Sequence, residues 1–527
     1  METRSHWSVA VAIAICALSL TFATVAARSK SASYDEPKHV ATGAYAWTAG
    51  NFLGDDNAPI VSLFGWPARL HEWHLPAAPT ELTPTGKRLG LYEAGVAILT
   101  DRRNGESVVD TLFEARLTSL ALFALLLLGV ALEARTRGGD LGMLVALGLV
   151  ALSPAMLSHA SIVSADLPLA VAGVFVVIAT RRYTEQPSVA RASVLGIALG
   201  GALATKLTGV VFVLGAAIWL LSWALRSRSR FEIVRDASAV VVAGLIVITL
   251  ATNFDPLFFV RQWRLVSNYG TAHQTEYFLG SIGSRSPWFY PAVLVAKLEP
   301  ALQVGLVMLA ITIARDRKLI RAAGGVLLLA FLVFVVTCAS GYRQGFRFLL
   351  PMWPLLAIAC AHGFDSSRTS RMVAGFLLVC AGATSLSAAP NFLTYWNPLT
   401  RGSGDSWFVD SNHDWGQDLS TLARWHQENP DAMLYGALYT IVPPEAYGIR
   451  FTNLFDDPST LTRFDPTQRN VLVISVTLLR MLAADPRQPL NGVANSLSAE
   501  QPDLEFGGSI RAYELSRERL SRLMAKR

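Results

Sequence analysis

The run WSVAVAIAICALSLTFATVAARSKSASYDEPKH, from Trp7 to His39, decides the fold class. Its first part, Trp7 to Ala27, is uncharged and apolar for about 20 residues, the length an α-helix needs to cross the hydrocarbon core of a bilayer. Just past it stands the acidic pair Asp35-Glu36, at the mouth of a long polar loop. Ionised carboxylates beside a bilayer are costly and usually mark chemistry. A base or metal ligand at that depth can act on a substrate whose reactive head lies at the membrane surface while its tail stays in lipid.

The rest of the chain agrees with a life in lipid. Of 527 residues, 52% are hydrophobic and 16% charged, with mean hydropathy +0.38, whereas soluble domains carry about 25% charged residues. The formal net charge of +6 does not point to nucleic acid, because no compact basic and aromatic patch accompanies it. Eleven apolar runs read as membrane spans: 7–27, 115–133, 141–158, 163–180, 192–205, 208–225, 236–252, 298–314, 322–340, 346–362 and 371–388. The weakest is 192–205, which together with 208–225 can instead be one crossing plus a re-entrant piece hinged at Lys206-Leu207-Thr208-Gly209.

Lys and Arg accumulate in cytoplasmic loops. Arg135 and Arg137, Arg181, Arg182 and Arg191, Arg226 to Arg235, Arg315 to Arg321, and Arg368 with Arg371 fall in alternate connections, while the intervening short ones hold far fewer. The expectation is an N-terminus inside and a C-terminus outside. Residues 1–27 also admit a signal-peptide reading, with Val25-Ala26-Ala27 as a cleavage site, although the apolar stretch exceeds a usual h-region. In either case the first long loop is outside. The expected organisation is a multi-span membrane domain, 1–388, carrying an outer loop at 28–114, followed by a small α/β outer domain at 389–527. The outer loop should hold short helices lying at the interface, such as Lys38 to Gly50. The tail should hold strands at Met433 to Tyr439, Val471 to Val476 and Ser509 to Leu515, with a helix over Leu419 to Gln427 before the first. Cys16, Cys338, Cys360 and Cys380 all fall in apolar spans and offer no disulfide framework.

Polar residues gather near the outer ends of these spans. They are Asp35, Glu36 and His39; His159 and Asp166 between spans three and four; Lys206; Lys297 and Glu299; then Arg343 and Arg347. Carboxylates and cations at one depth suit a phosphorylated lipid, with cations holding the phosphate and a carboxylate taking the proton of an acceptor hydroxyl. Each residue also has a plainer reading. Asp166 can cap a helix, Lys206 and Lys297 can snorkel to the interface, and Arg347 can be a simple anchor. No nucleotide-binding glycine loop or internal repeat is present.

Several segments resemble one family. Tyr34-Asp35-Glu36-Pro37-Lys38-His39, followed by Gly43 and Tyr45, looks like the first-loop signature of the C-type, lipid-carrier-dependent glycosyltransferases, the class that includes the protein O-mannosyltransferases. Ser153-Pro154 through His159 to Asp166-Leu167-Pro168, Ala204-Thr205-Lys206, Trp288-Phe289-Tyr290-Pro291 with Lys297, and Gly345-Phe346-Arg347 through Pro351 are similar to its bacterial branch. So is Asp410-Ser411-Asn412-His413-Asp414-Trp415-Gly416-Gln417-Asp418-Leu419, preceded by Tyr395-Trp396-Asn397. The resemblance implies an all-α polytopic membrane fold and sugar transfer from a polyprenyl-phosphate carrier to a glycan, lipid or protein acceptor. It places this at the outer face of a bacterial cytoplasmic membrane.

On that reading Asp35 is the general base, supported by Glu36. Lys206, Arg347 and Lys297 bind the donor phosphate, and His39, His159, Asp166, Asp410, Asp414 and Trp415 line the substrate site. No cofactor is required, and a divalent cation held by Asp35, Asp166 and the tail acids stays open. The first loop departs from the family where Asp55-Asp56 and Asn57-Ala58-Pro59-Ile60 replace a His-Pro-Pro-Leu-like stretch. Asp410, Asn412 and Asp414 mimic the opening of a calcium loop, but Trp415 stands where that loop needs Gly and Thr421 where it needs Glu, so an EF-hand is rejected. The tail motif is then either a Trp-anchored helix start that docks the tail on the membrane domain, or part of the acceptor site. The competing function class is a transporter or flippase for a lipid-linked or anionic solute, which would also need intramembrane charges but would favour repeats and broken helices near the midplane.

Overall fold

A backbone in lipid can satisfy its N–H and C=O groups only within itself, and every expected span falls largely on helix. The computed structural model describes residues 2–50, 59–81, 89–224, 229–255, 257–264, 276–283, 286–456 and 467–524. The departure at Asp55 to Ala58 lies outside them. Among the described residues six helices are long and apolar enough to cross a membrane: His6–Ser29, Val108–Ala151, Asp166–Glu185, Phe231–Ala251, Lys318–Ala339 and Arg368–Ala388. A seventh crossing is possible if the pair Phe289–Lys297 and Pro300–Arg315, bent by 102°, counts as one. The protein is a mostly helical, multi-pass membrane protein.

Among the described residues, fewer helices than the eleven expected spans pass that test of length on their own. The expected spans 115–133 and 141–158 both lie in the helical run Val108–Ala151, which is broken between them by a kink with non-helical backbone at Gly138 and Gly139. That helix stops before Ser153, whose hydroxyl caps the separate short helix Pro154–Ala160. Val189–Thr205, Leu207–Trp223 and Met352–Gly363 are apolar but shorter than a crossing.

The first long loop builds its own core. Helix Glu36–Ala49 is mostly buried. Val40, Ala41, Ala44 and Tyr45 pack with Val61, Phe64, Trp73, Leu91 and Ile98. Packing is close enough that a Cβ on Gly95 would lie 2.0 Å from the carbonyl oxygen of Pro37. Only glycine there lets helix Leu91–Thr100 press onto the segment just after the acidic pair.

The tail forms a mixed sheet. After the small hairpin β1 (Tyr277–Phe278) and β2 (Ser281–Ile282), strands β3 (Ala432–Ala437), β4 (Phe451–Asn453), β5 (Arg469–Ser475), β6 (Leu504–Phe506) and β7 (Ile510–Glu514) run in the order β4-β3-β5-β7-β6. β3 is parallel to β4 and β5, and β7 is antiparallel to β5 and β6. Alternation along β5 sends Val471 and Val473 to a core with Leu419 and Leu422, and Leu472 and Ile474 to one with Leu479 and Val493. Helices thus cover both faces, which explains the continuous apolar run in β5.

Candidate active site

The two acids of the opening pair face opposite ways. Asp35 stands at the N-cap of helix Glu36–Ala49 but makes no capping bond with its side chain. Its carboxylate accepts instead from the phenol of Tyr92 at 2.8 Å and from Arg347 Nη1 at 2.9 Å. The side chain is 20% exposed, so a substrate can reach it. Burial pushes its pKa up, but the Arg347 guanidinium, with Lys38 and His39, holds it well below the usual carboxylate range.

Glu36, one residue on, turns inward. Its oxygens accept from Arg116 Nε at 2.8 Å and Nη2 at 2.6 Å, from the Ser33 N–H at 2.8 Å and from the Val163 N–H at 2.8 Å. Both side chains of the Glu36–Arg116 pair are 0% exposed. Arg116 also donates to the carbonyls of Ala27, Lys30 and Ser31. A carboxylate with four donors and no solvent is a joint between the first span, the loop and the helix Val108–Ala151. Its support of Asp35 is positional.

The cations divide in the same way. Lys206 ends helix Val189–Thr205 in extended backbone, donates to Asp166 Oδ1 at 2.7 Å, lies 4.0 Å above the Phe348 ring and is 24% exposed. Asp166 is in the first turn of its helix but is not the cap, which is Ala165. Arg347 donates to Asp35 and, through Nη2, to Gln344 Oε1 at 2.9 Å, over the indole of Trp415 at 4.5 Å. Lys297 is 2% exposed, donates to the carbonyls of Leu393 at 3.1 Å and Tyr395 at 2.5 Å, and lies 3.8 Å from the Trp396 ring centre. Its ammonium is committed to the protein. His39 adds its field at Asp35. His159 is fully buried against Phe346 and Trp415, with neither ring nitrogen hydrogen-bonded.

The tail motif docks the tail on the chain leading into Asp35, and its first acid lies in the field of Asp35 and Arg347. The Trp415 carbonyl accepts from the Tyr34 N–H at 2.9 Å, and the Gln417 carbonyl from the Ser31 N–H at 3.0 Å. Asp418 pairs with Lys30. These contacts stitch residues 415–418 to the chain leading into Asp35. Asp414 accepts from the Thr477 N–H at 2.8 Å and the Gly416 N–H at 3.2 Å. It thereby satisfies an open donor in the first turn of helix Val476–Ala484. Burial pushes its pKa up to about 7 against those donors. Asp410 is different. Half-buried and in left-handed backbone at φ 56°, it accepts from the Tyr439 phenol at 3.2 Å. Burial and the nearby Asp35 charge push it up to about 6, with Arg347 opposing. Tyr439 in turn stacks on Tyr34 at 5.1 Å, and Tyr34 meets Tyr92 edge-on.

The structure thus brings Asp35, Arg347, Asp166, Lys206 and Asp410 into one electrostatic neighbourhood walled by Tyr34, Tyr92, Tyr439 and Phe348. Glu36, Lys297, Asp414 and Trp415 build its frame. Tyr92, Tyr439, Gln344 and Arg116 were not singled out from sequence. Only Arg116 gave a signal, as a cation at the edge of an apolar run. Among the described residues no group of three or more His, Cys, Asp or Glu side chains could hold a metal ion. These two pairs, each with one partly exposed member, can neutralise an anion on one side and accept a proton on the other.

No family model matches the chain, and no characterised protein matches it by sequence. Solved structures do resemble it. ArnT from Cupriavidus metallidurans in the apo state is 16% identical over 97% of this chain and 98% of that one, with a TM-score of 0.50. The same protein bound to undecaprenyl phosphate gives 14% identity over 95% and 97%, with a TM-score of 0.48. The archaeal oligosaccharyltransferase AglB from Archaeoglobus fulgidus, in complex with an inhibitory peptide and a dolichol-phosphate, gives 12% over 93% and 72%, with a TM-score of 0.44. The likeness to apo ArnT gives this chain the C-type membrane glycosyltransferase fold that its motifs resemble.

Proposed function

We propose that this protein transfers a sugar from a polyprenyl-phosphate carrier to an acceptor hydroxyl, at the outer face of a bacterial cytoplasmic membrane. The observation that carries the reading is the pairing of a partly exposed Asp35 with Arg347 beside that of a partly exposed Lys206 with Asp166. The undecaprenyl phosphate bound to ArnT and the dolichol-phosphate bound to AglB are carriers of the same class. On this reading the span domain 1–388 holds the lipid tail, and the outer domain 389–527 closes the site from above.

The chemistry follows from the placement. The acceptor oxygen attacks the anomeric carbon from the side opposite the phosphate, so the configuration inverts. The bond from that carbon to the phosphate oxygen breaks, and its electron pair leaves with the phosphate. Lys206 and Arg347 neutralise that charge as it develops, a stabilisation worth several kcal/mol in a water-excluded site. The acceptor proton passes to Asp35, a contribution of typically 10²- to 10⁴-fold. An Asp35 held by Arg347 is a weak base. A phosphate that draws Arg347 toward itself makes it a stronger one, because the partner that lowers its pKa is then shared. The sugar and the acceptor, whether glycan, lipid or protein, are open in this reading.

The test supplies purified protein in detergent with either a polyprenyl-phosphate sugar or a nucleotide sugar. Transfer from the first alone is expected. Transfer from a nucleotide sugar with no lipid carrier present would overturn the proposal.

A further inference from the structure

The loop that carries Arg347 is held from the tail. The Phe346 N–H donates to Asn412 Oδ1 at 2.9 Å, in a buried bond. The Ser411 hydroxyl donates to the Gln344 carbonyl. Between them Gly345 has φ 104°, and a Cβ there would lie 2.6 Å from Ser411 Oγ and 3.1 Å from the Asn412 amide atoms. Asn412 is 2% exposed and is itself fixed, its Nδ2 donating to the Val409 carbonyl at 3.1 Å. The 410–414 turn is fastened in turn to helix Val476–Ala484, since the Asp410 N–H donates to Thr477 Oγ1 at 2.9 Å and Asp414 accepts from the Thr477 N–H. The path therefore runs from the tail sheet, through that helix and Asn412, to Phe346 and the next residue, Arg347.

We propose that Asn412, seconded by Ser411, is the positioning residue for Arg347, so that the tail domain sets the geometry of the phosphate-binding cation without touching substrate. This deepens the function proposed above and rests on its assignment of the donor phosphate to Arg347. The Asn412 side chain is turned to the Gln344–Arg347 turn and to its own backbone, not to Asp35 or Lys206. A purely structural residue would lower stability and activity together. A positioning residue acts only through the group it places.

The test is a double-mutant cycle. Wild type, Asn412→Leu, Arg347→Ala and the double variant are compared for binding of a polyprenyl phosphate, for binding of the matching polyprenol without phosphate, and for turnover. Asn412→Leu should weaken polyprenyl phosphate binding about tenfold, the scale of one buried donor left unpaired, and leave polyprenol binding unchanged. In the Arg347→Ala background it should add nothing. Asn412→Asp, which keeps the acceptor for the Phe346 N–H but sets a second oxygen against the Val409 carbonyl, should restore part of the loss. Ser411→Ala provides a milder variant should Asn412→Leu fail to fold, with a loss of a few-fold that also vanishes without Arg347. Equal losses in both backgrounds, or no loss from Asn412→Leu or Ser411→Ala while Arg347→Ala weakens binding, overturn the inference. If Arg347→Ala itself binds polyprenyl phosphate as wild type does, the donor assignment fails instead.

Discussion

Glu36→Gln should damage the protein more than Asp35→Asn, although the two acids are neighbours. In Glu36→Gln one carboxylate oxygen becomes an amide that faces Arg116 Nη2, now at 2.6 Å, and the Ser33 N–H, now at 2.8 Å. Donor then meets donor at both contacts, and the Arg116 charge is left uncompensated where both side chains are 0% exposed. Two bonds to an ionised carboxylate, at about 1.5–3 kcal/mol each, are lost. That agrees with about 3–5 kcal/mol for breaking a buried pair. In Asp35→Asn the cost to the fold is smaller, because the side chains of Asp35 and Arg347 are 20% and 11% exposed and Arg347 keeps Asp166 and Asp410 nearby. The chemistry should fall by about 10²-fold or more when the base is removed. The assay is unfolding of each detergent-purified variant by heat and by denaturant, beside turnover of the fraction that remains folded. Glu36→Gln/Arg116→Met, which removes the stranded charge, should recover part of the lost stability. If Glu36→Gln unfolds at the wild-type midpoint, the joint assigned to Glu36 is refuted; near-normal turnover in Asp35→Asn removes Asp35 from the mechanism.

Three further outcomes are expected. Lys206→Ala and Arg347→Ala should each weaken polyprenyl phosphate binding, Arg347→Ala the more because a guanidinium fork can hold two phosphate oxygens; isothermal or fluorescence titration with the carrier alone decides it, and equal or inverted effects would count against the assignment. Asp410→Asn should be neutral at pH values below the ordinary carboxylate pKa and stabilising near pH 8, because an acid whose pKa is raised from 3.8 to about 6 in the folded state costs stability as pH climbs from the lower value through the higher; denaturation midpoints across pH report it, and a variant less stable at pH 8 would reverse the sign of the argument. An alkaline phosphatase fused after Arg182 should be inactive and one at the C-terminus active, as the arginine-rich loops require; an inactive C-terminal fusion would invert the tail.

The spans were legible because lipid forces long apolar runs, and the tail strands because β propensity alternated with turn residues. The polar break between spans two and three was legible as well. Arg135, Arg137, Gly138, Gly139 and Asp140 read as a connection, and the helical backbone breaks at Gly138 and Gly139 within it. Arg137 donates to Glu133 one turn earlier at 2.7 Å, and Arg181 from another helix joins the same carboxylate at 2.9 Å. What misled was the end of the third span, since apolarity continued past Ser153-Pro154, where a proline at the first helical turn started a new helix.

The site was legible in its membership and illegible in its pairing. Loop alternation put Asp35, Asp166, Lys206 and Arg347 on one side, but Arg347 reaches Asp35 across 312 positions of sequence, and no periodicity carries information over such a distance. Position in the motif put the base at Asp35 and its support at Glu36, two acids that share charge and motif. Their fates diverge because a helix begins between them. Each helical residue turns about 100° from the last, so the N-cap side chain looks out toward Tyr92 and Arg347 while the next is carried inward to Arg116. An outward acid whose cation partner keeps some exposure can exchange that partner for a phosphate. An inward acid with four donors cannot, and this difference in direction, not in residue type, is why the proposed mechanism puts the base at Asp35.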